Sequence, residues 1–370
     1  MLLDKIKELL AEQPNIKAKE IAKRIGFDKK EVNAILYKHK ESFFQNKEYC
    51  WCLNPSLVVT IDMFSGWVSS ISFEEKLKGS ASPLSSDCKK VIIEFPEDCQ
   101  LLLETIVKLL AFCNQMTYKK KNVTLDFKNN LLLGYLSRVG FFDYLSSKVS
   151  ILPERPSISK ADTFRENSDK LMELRTIDVS NLDTSIPIHL KNSFVSHTSA
   201  QHSQSAFTVI SELFSNVCDH SDSATPGLAA LQMYASGPSG PHIQTIISDN
   251  GKGIIGTLRP VLATEDCYAS LQEQFSPPSD ENNALLIKWM FANGRISRSL
   301  EEGRGLGLKR SGDIAAKFNA TISIRQENFE VTLIYRDGIM QDHKTSTGLA
   351  TLYGTHICFD FLLTNLSSSR

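Results

Sequence analysis

Three clusters in the C-terminal half of the chain combine residue types that could do chemistry together. The first is Ser211-Glu212-Leu213-Phe214-Ser215-Asn216, running on to Cys218-Asp219-His220. Glu212 and Asn216 are four residues apart, so on a helix their side chains share a face. A carboxylate at Glu212 can accept a proton, whereas the amide of Asn216 can only coordinate or exchange hydrogen bonds. Magnesium takes few protein oxygens and leaves its other positions to phosphates and waters, so one Asn suffices to hold it. The second cluster is Ser248-Asp249-Asn250-Gly251-Lys252-Gly253-Ile254. Gly251 and Gly253 permit a turn that brings backbone close to a ligand. The third, Gly303-Arg304-Gly305-Leu306-Gly307-Leu308, precedes a helical stretch. Glycines ahead of a helix expose N–H groups to an anion, and the helix dipole adds a favourable field. Singly, each cluster also has a plain reading, as polar residues on a surface helix or as a turn.

The elements that must position these residues are legible in the apolar pattern. Residues 205–219 read as a helix, with Phe207, Ile210, Leu213, Phe214 and Val217 as its apolar stripe. Residues 242–247 form an apolar, β-branched strand that delivers Asp249 to its end. Residues 308–318 read as a further helix. A long insertion, 255–302, carries Pro277-Pro278 and a helical stretch at 282–291. Strands at 320–324, 331–335 and 354–361 would complete a sheet.

In this order and separation the three clusters resemble the N, G1 and G2 boxes of the GHKL ATPases, the superfamily of gyrase, Hsp90, the histidine kinases and MutL. The match spans most of residues 190–363. It implies a C-terminal α/β sandwich, with helices on one face of a mixed sheet, that binds ATP and Mg2+. In that resemblance Glu212 is the general base, Asn216 holds the metal and Asp249 accepts a hydrogen bond from the adenine amino group. Gly251, Gly253 and Ile254 bring backbone up to the base. Gly303, Arg304, Gly305, Leu306, Gly307 and Leu308 cradle the triphosphate, with Arg304 or Lys309 in reach to assist. Residues 255–302 become the lid, and Thr355 belongs to a closing Gly-Thr strand typical of the family. Histidine kinases usually carry Asn where this chain has Glu212, and their His-Glu-x-Arg-Thr-Pro motif is absent. Glu212 with Asn216 and His220 is closer to the anti-sigma serine kinases and the hydrolysing ATPases. ATP hydrolysis is therefore expected, with Ser/Thr phosphorylation of a partner protein as the alternative. A third reading keeps ATP as a structural ligand of a DNA-binding repressor.

The front of the chain divides into two further segments and a linker. Residues 1–54 read as three helices and a hairpin, a winged helix-turn-helix. Leu2, Ile6, Leu9 and Leu10 share one face, Gly26 ends the second helix, and Asp28 caps the third with Glu31 three residues on. The third helix and the wing resemble the Zα-type winged helices that bind Z-form nucleic acid. That resemblance gives Lys29 and Asn33 to phosphates and Tyr37 to a base, with Trp51 supporting Tyr37. The wing lacks the family's Pro-Pro, and Tyr37 and Trp51 could equally close a small core. Residues 55–156 alternate strands (58–63, 91–95, 123–127) with helices (101–116, 131–145), which implies a largely parallel sheet. They weakly resemble STAS-type regulatory domains, although the Asp-Ser-Ser-Gly motif is missing after Asp126. Residues 157–189 read as a linker.

Composition sets the frame. A chain of 370 residues is expected to form two or three domains. A net charge of −1 with 22% charged residues describes an ordinary globular protein rather than a polycation, and its three segments together are expected to make it multidomain α/β and α+β. No apolar run is long enough to span a bilayer, and the N-terminus lacks a signal-peptide pattern. Eight scattered cysteines fit free thiols in a reducing cytoplasm. The expectation is a cytoplasmic, ATP-dependent switch, dimerising on nucleotide, with nucleic acid and a regulatory protein as partners and no membrane partner.

Overall fold

The structure is a computed structural model; it describes all residues except 1, 41, 55–56, 79–81, 221–225, 238–239, 295, 297–305 and 364–370. The chain divides into two compact units. Residues 1–100, 112–133 and 145–157 form the first, and residues 101–111, 134–144 and 158–370 form the second.

The first unit opens with helices Leu2–Glu12, Ala18–Ile25 and Lys29–Lys38, followed by an antiparallel pair, Phe43–Gln45 with Trp51–Leu53. Gly26 takes the left-handed conformation and donates its N–H to the Ala22 carbonyl, which stops the second helix. The Asp28 carboxylate then accepts the Lys30 N–H at 2.7 Å and starts the third. Asn46 shapes the hairpin loop, since its Oδ1 accepts the N–H groups of Glu48 and Cys50. Ile6, Leu10, Ile21, Val32, Leu36, Phe43 and Trp51 meet in one small core. The same unit holds a four-stranded sheet in the order Val58–Asp62, Lys90–Phe95, Asn122–Phe127, Ser150–Leu152, with each pair parallel. The short fourth strand and the helix Ser70–Lys78 have no counterpart in the sequence reading.

The helix expected over 131–145 is broken. It runs as Asn130–Val139 and resumes as Phe141–Tyr144. Gly140 between them has φ +90°, and a Cβ there would lie 3.3 Å from Ala161 Cβ, so a tight turn replaces the helical residue.

The second unit is built on a seven-stranded sheet. Its order is Ile339–Ser346, Phe329–Arg336, Thr321–Glu327, Leu352–Leu362, His242–Asp249, Gly227–Tyr234, Leu171–Ile177. Every neighbouring pair is antiparallel, which corrects the expectation of a mixed sheet. Thr321–Glu327 follows His242–Asp249 in the chain, but the last strand, Leu352–Leu362, inserts between them and runs against both. Helices Ile186–His197, Ser203–His220, Asp280–Asn293 and Gly307–Lys317 pack on one sheet face through Phe194, Leu213, Ile287, Ala315 and their neighbours. Strand alternation puts Ile243, Ile322, Val331 and Ile357 on that face. It therefore turns Gln244, Ser323, Glu330 and His356 to the other.

That second face is also covered, which the expectation of helices on one face did not include. Helix Leu103–Tyr118 brings Glu104 and Lys108 to it. Lys108 pairs with Glu330 and, at 3.1 Å, with Glu104, whose other contact is the Ser323 hydroxyl. A fully buried lysine requires such partners.

Residues 255–302 hold more helix than the sequence pattern indicates. Gly253–Thr264 and Ala269–Gln274 precede Asp280–Asn293, the last of which is the expected helix, capped by Ser279. Arg259 ties them together by donating to Asn283 Oδ1 and to the Phe275 carbonyl. Among the described residues, no helix is long and apolar enough to cross a membrane.

Candidate active site

Helix Ser203–His220 carries Glu212 and Asn216, and helix Gly307–Lys317 packs beside it. Gly307 lies close to both functional side chains. A Cβ built there would lie 2.7 Å from Glu212 Oε2 and 3.8 Å from Asn216 Nδ2. The first residue of the second helix thus stands directly against the carboxylate of the first and near its amide, and a side chain there would collide with the carboxylate. Glu212 is further engaged on its other oxygen, since Arg310 Nη1 donates to Oε1 at 2.6 Å. Lys309 instead pairs with Asp313 one turn along, at 2.7 Å. Leu306 is the N-cap residue, and Leu308 is half-buried against both hydrophobic clusters of the unit. Gly303, Arg304 and Gly305 lie outside the described residues.

A second set of residues assembles at the end of strand His242–Asp249. Asp249 stands opposite Thr355 in the ladder and is 8% exposed. Burial pushes its carboxyl pKa upward; hydrogen bonds from Gly251 and Thr355 work against that rise. The Gly251 N–H reaches Asp249 Oδ1 at 2.6 Å. Gly354 has φ +91°, and a Cβ there would overlap the Asp249 carbonyl and sit 2.8 Å from Asn250 Cα. Only a glycine lets the two strands approach so closely at this point.

Gly253 and Ile254 begin helix Gly253–Thr264 under the control of Gln326, which is 1% exposed. The Gln326 amide donates to Thr355 Oγ1 at 2.9 Å, and its oxygen accepts the Ile255 N–H at 3.2 Å. Gly253 has φ +72°, and a Cβ there would lie 2.8 Å from Gln326 Nε2. One side chain therefore links the helix start to the residue that faces Asp249. Ile254, Ile255 and Leu308 pack on a common cluster with Leu258, Leu286 and Met290, which connects the two sets.

Directly behind Asp249, Ser248 Oγ and His356 Nδ1 are 2.7 Å apart, and His356 Nε2 is 3.1 Å from the Tyr353 carbonyl. A carbonyl only accepts, so Nε2 carries the proton and Nδ1 accepts from the Ser248 hydroxyl. Burial, with smaller contributions from the charges of Lys108 and Arg325, pushes the His356 pKa down to about 3. The ring is neutral throughout the physiological range.

In the first unit, Tyr37 is 53% exposed and meets the buried Trp51 edge-on at 5.0 Å. Its hydroxyl lies 3.4 Å from Gln45 Oε1. Lys29 is exposed and Asn33 half-buried on the same helix. The four expected residues thus lie on one helix and the wing strand beside it.

Compared with known proteins, the chain matches no family model, and no curated protein or solved structure matches it. Its chemistry is read from its own residues.

Four participants escaped the sequence reading. Gln326 and His356 carry no local signal; a polar residue in a strand takes its meaning from the neighbouring strand's register. Ser248 stands in the second cluster, next to Asp249, where local sequence gives it no role. Arg310 had a signal, because it lies three residues after Gly307 and so on the same helix face.

Proposed function

We propose that residues 190–363 bind Mg-ATP and hydrolyse it, as a regulatory switch of GHKL type. One observation carries this reading: Gly307, at the mouth of a helix, stands against both Glu212 and Asn216. A glycine-rich helix start beside a carboxylate and an amide is a fitting cradle for a phosphate chain with its metal. Bound Mg-ATP would supply the electrophilic phosphorus and the charge that polarises it. Asn216 would hold the metal through its amide oxygen. Glu212 would accept the proton of the attacking water. Gly303, Arg304, Gly305, Leu306, Gly307 and Leu308 would meet the phosphates chiefly with backbone N–H groups. Lys309, tied to Asp313, would have to change partner to reach them.

Asp249 fits the base end. It is a buried carboxylate with two donors of its own, and an adenine amino group would add the donor its burial calls for. Gly251, Gly253, Ile254 and Thr355 surround it with backbone and a hydroxyl. The test is ATP binding to the purified protein by calorimetry, followed by phosphate release. Binding lost in Asp249→Asn and turnover lost in Glu212→Ala support the reading; a parent protein that does not bind ATP ends it. Transfer of labelled γ-phosphate to a partner's Ser or Thr would assign the alternative, an anti-sigma-like kinase.

We further propose that residues 1–54 act as a winged helix that senses nucleic acid. The exposed Tyr37 face beside Trp51, with Lys29 on the same helix, supports a stacking and phosphate-contacting surface. Residues 55–156 would be the coupling domain, weakly STAS-like, and ATP-driven dimerisation a means of output. ATPase rates with duplex, Z-prone and single-stranded nucleic acid test the coupling; no response to any of them leaves the winged helix as a protein-docking module.

A further inference from the structure

Both oxygens of Glu212 are covered by one helix. Gly307 faces Oε2, and Arg310, one turn further, donates its guanidinium to Oε1 at 2.6 Å. The arrangement is asymmetric in a useful way. The glycine contact is close but uncharged, a Cβ there lying 2.7 Å from Oε2, whereas the guanidinium holds Oε1 by a charge-assisted hydrogen bond. Yet this ion pair is loosely held. The Arg310 side chain is 49% exposed and that of Glu212 is 27% exposed. Two other carboxylates of the unit are paired in the interior, Glu330 with Lys108 and Glu173 with Arg138. An exposed pair is worth little and exchanges easily for a stronger partner. A terminal phosphate is such a partner, because it offers more charge and a geometry that suits the guanidinium fork.

We propose that Arg310 is a positioning residue that exchanges partners with the nucleotide state. Without a terminal phosphate it holds Glu212 occupied; when the γ-phosphate arrives, Arg310 moves to it and frees the carboxylate to face the water. The inference rests on the proposed Mg-ATP site and adds to it a device that ties release of the base to the triphosphate. ADP, lacking the γ-phosphate, leaves the pair intact. The neighbouring Lys309 pairs with Asp313 one turn along its own helix, so Arg310 is the cation of this helix turn that reaches across to Glu212.

The experiment compares β,γ-imido-ATP and ADP binding, with Mg2+, to the full-length parent, Arg310→Gln, Arg310→Lys and Glu212→Gln. Loss of one charge-assisted contact predicts that Arg310→Gln weakens the triphosphate by about tenfold. ADP affinity should stay within about twofold, since it makes no such contact. Arg310→Lys should recover part of the difference. Glu212→Gln removes the competing partner and should raise the preference for triphosphate over diphosphate. An unchanged preference in both Arg310→Gln and Glu212→Gln, or equal weakening of both nucleotides in Arg310→Gln, overturns the exchange. If Arg310→Gln does not fold, Arg310→Lys and Glu212→Gln decide on the same preference. A parent that binds neither nucleotide overturns the underlying site instead, so the two failures are distinguishable.

Discussion

The two ends of the candidate site are built on opposite principles. At the base end, Asp249, Thr355, Gln326 and His356 are buried, each held by partners on neighbouring strands. At the phosphate end, Glu212 and Arg310 reach each other from two helices and remain partly in water. A recognition element profits from being over-determined, because every displaced hydrogen bond would leave an unsatisfied buried group. A catalytic element that must change partners profits from weak, solvent-screened pairing. The same unit thus combines a buried, multiply bonded cluster with a half-exposed ion pair, and the two meet at the half-buried Ile254, Ile255 and Leu308.

The contrast can be broken most severely at the phosphate end. Glu212→Ala should lower phosphate release by about 100- to 10,000-fold, the usual contribution of a general base. Nucleotide binding should persist, which calorimetry checks. At the base end, Gly354→Ala should cost about 3 kcal/mol in urea unfolding, since a Cβ overlaps the Asp249 carbonyl and the backbone is left-handed. The two variants should therefore part cleanly, one losing turnover and the other losing fold.

Asp249→Asn sharpens the comparison. It should weaken nucleotide binding by about 10- to 100-fold, as one charge-assisted hydrogen bond to the base is lost. It should also raise the Tm of the nucleotide-free protein, because burial penalises the carboxylate and not the amide. A fall in Tm would mean that the bonds from Gly251 and Thr355 outweigh burial.

Acid should loosen the base end through His356. Its folded pKa is pushed down to about 3, so below its ordinary value of 6.5 the unfolded chain takes up a proton that the folded one refuses. Stability is therefore present at neutral pH and is lost as pH falls from about 6.5 toward 3. Between pH 6.5 and 5 the loss from this group is about 2 kcal/mol. Asp249, whose pKa is raised, works in the opposite direction, so the measurement is the difference between the parent and His356→Gln across that range. Lys309→Ala marks the low end of the scale. Its pair with Asp313 is exposed, and stability should change by less than about 0.5 kcal/mol.

Much of this was legible from residue order. The strand ending at Asp249, the helix bearing Glu212 and Asn216, the helix after Gly307 and the capping of Lys29–Lys38 by Asp28 all follow local rules of period and cap. The break at Gly140 did not, because a glycine within an apolar helical pattern gives no sign that another segment packs against it. The helix Gly253–Thr264 was hidden in the same way, since Pro260 stands inside it and argues locally against a helix.

By itself, then, the amino-acid sequence determined most of the elements around Glu212, Asn216 and Asp249, since periodicity, caps and glycine-rich turns act over a few residues. The tertiary structure alone decided which strand lies between Thr321–Glu327 and His242–Asp249, that Gln326 clamps the start of a distant helix, and that Arg310 occupies Glu212. Those outcomes depend on contacts between residues far apart in the chain, such as His242 with Leu362, or Arg310 with Glu212, which are 98 positions apart. Their pairing is selected by burial of the whole core, which no local rule encodes.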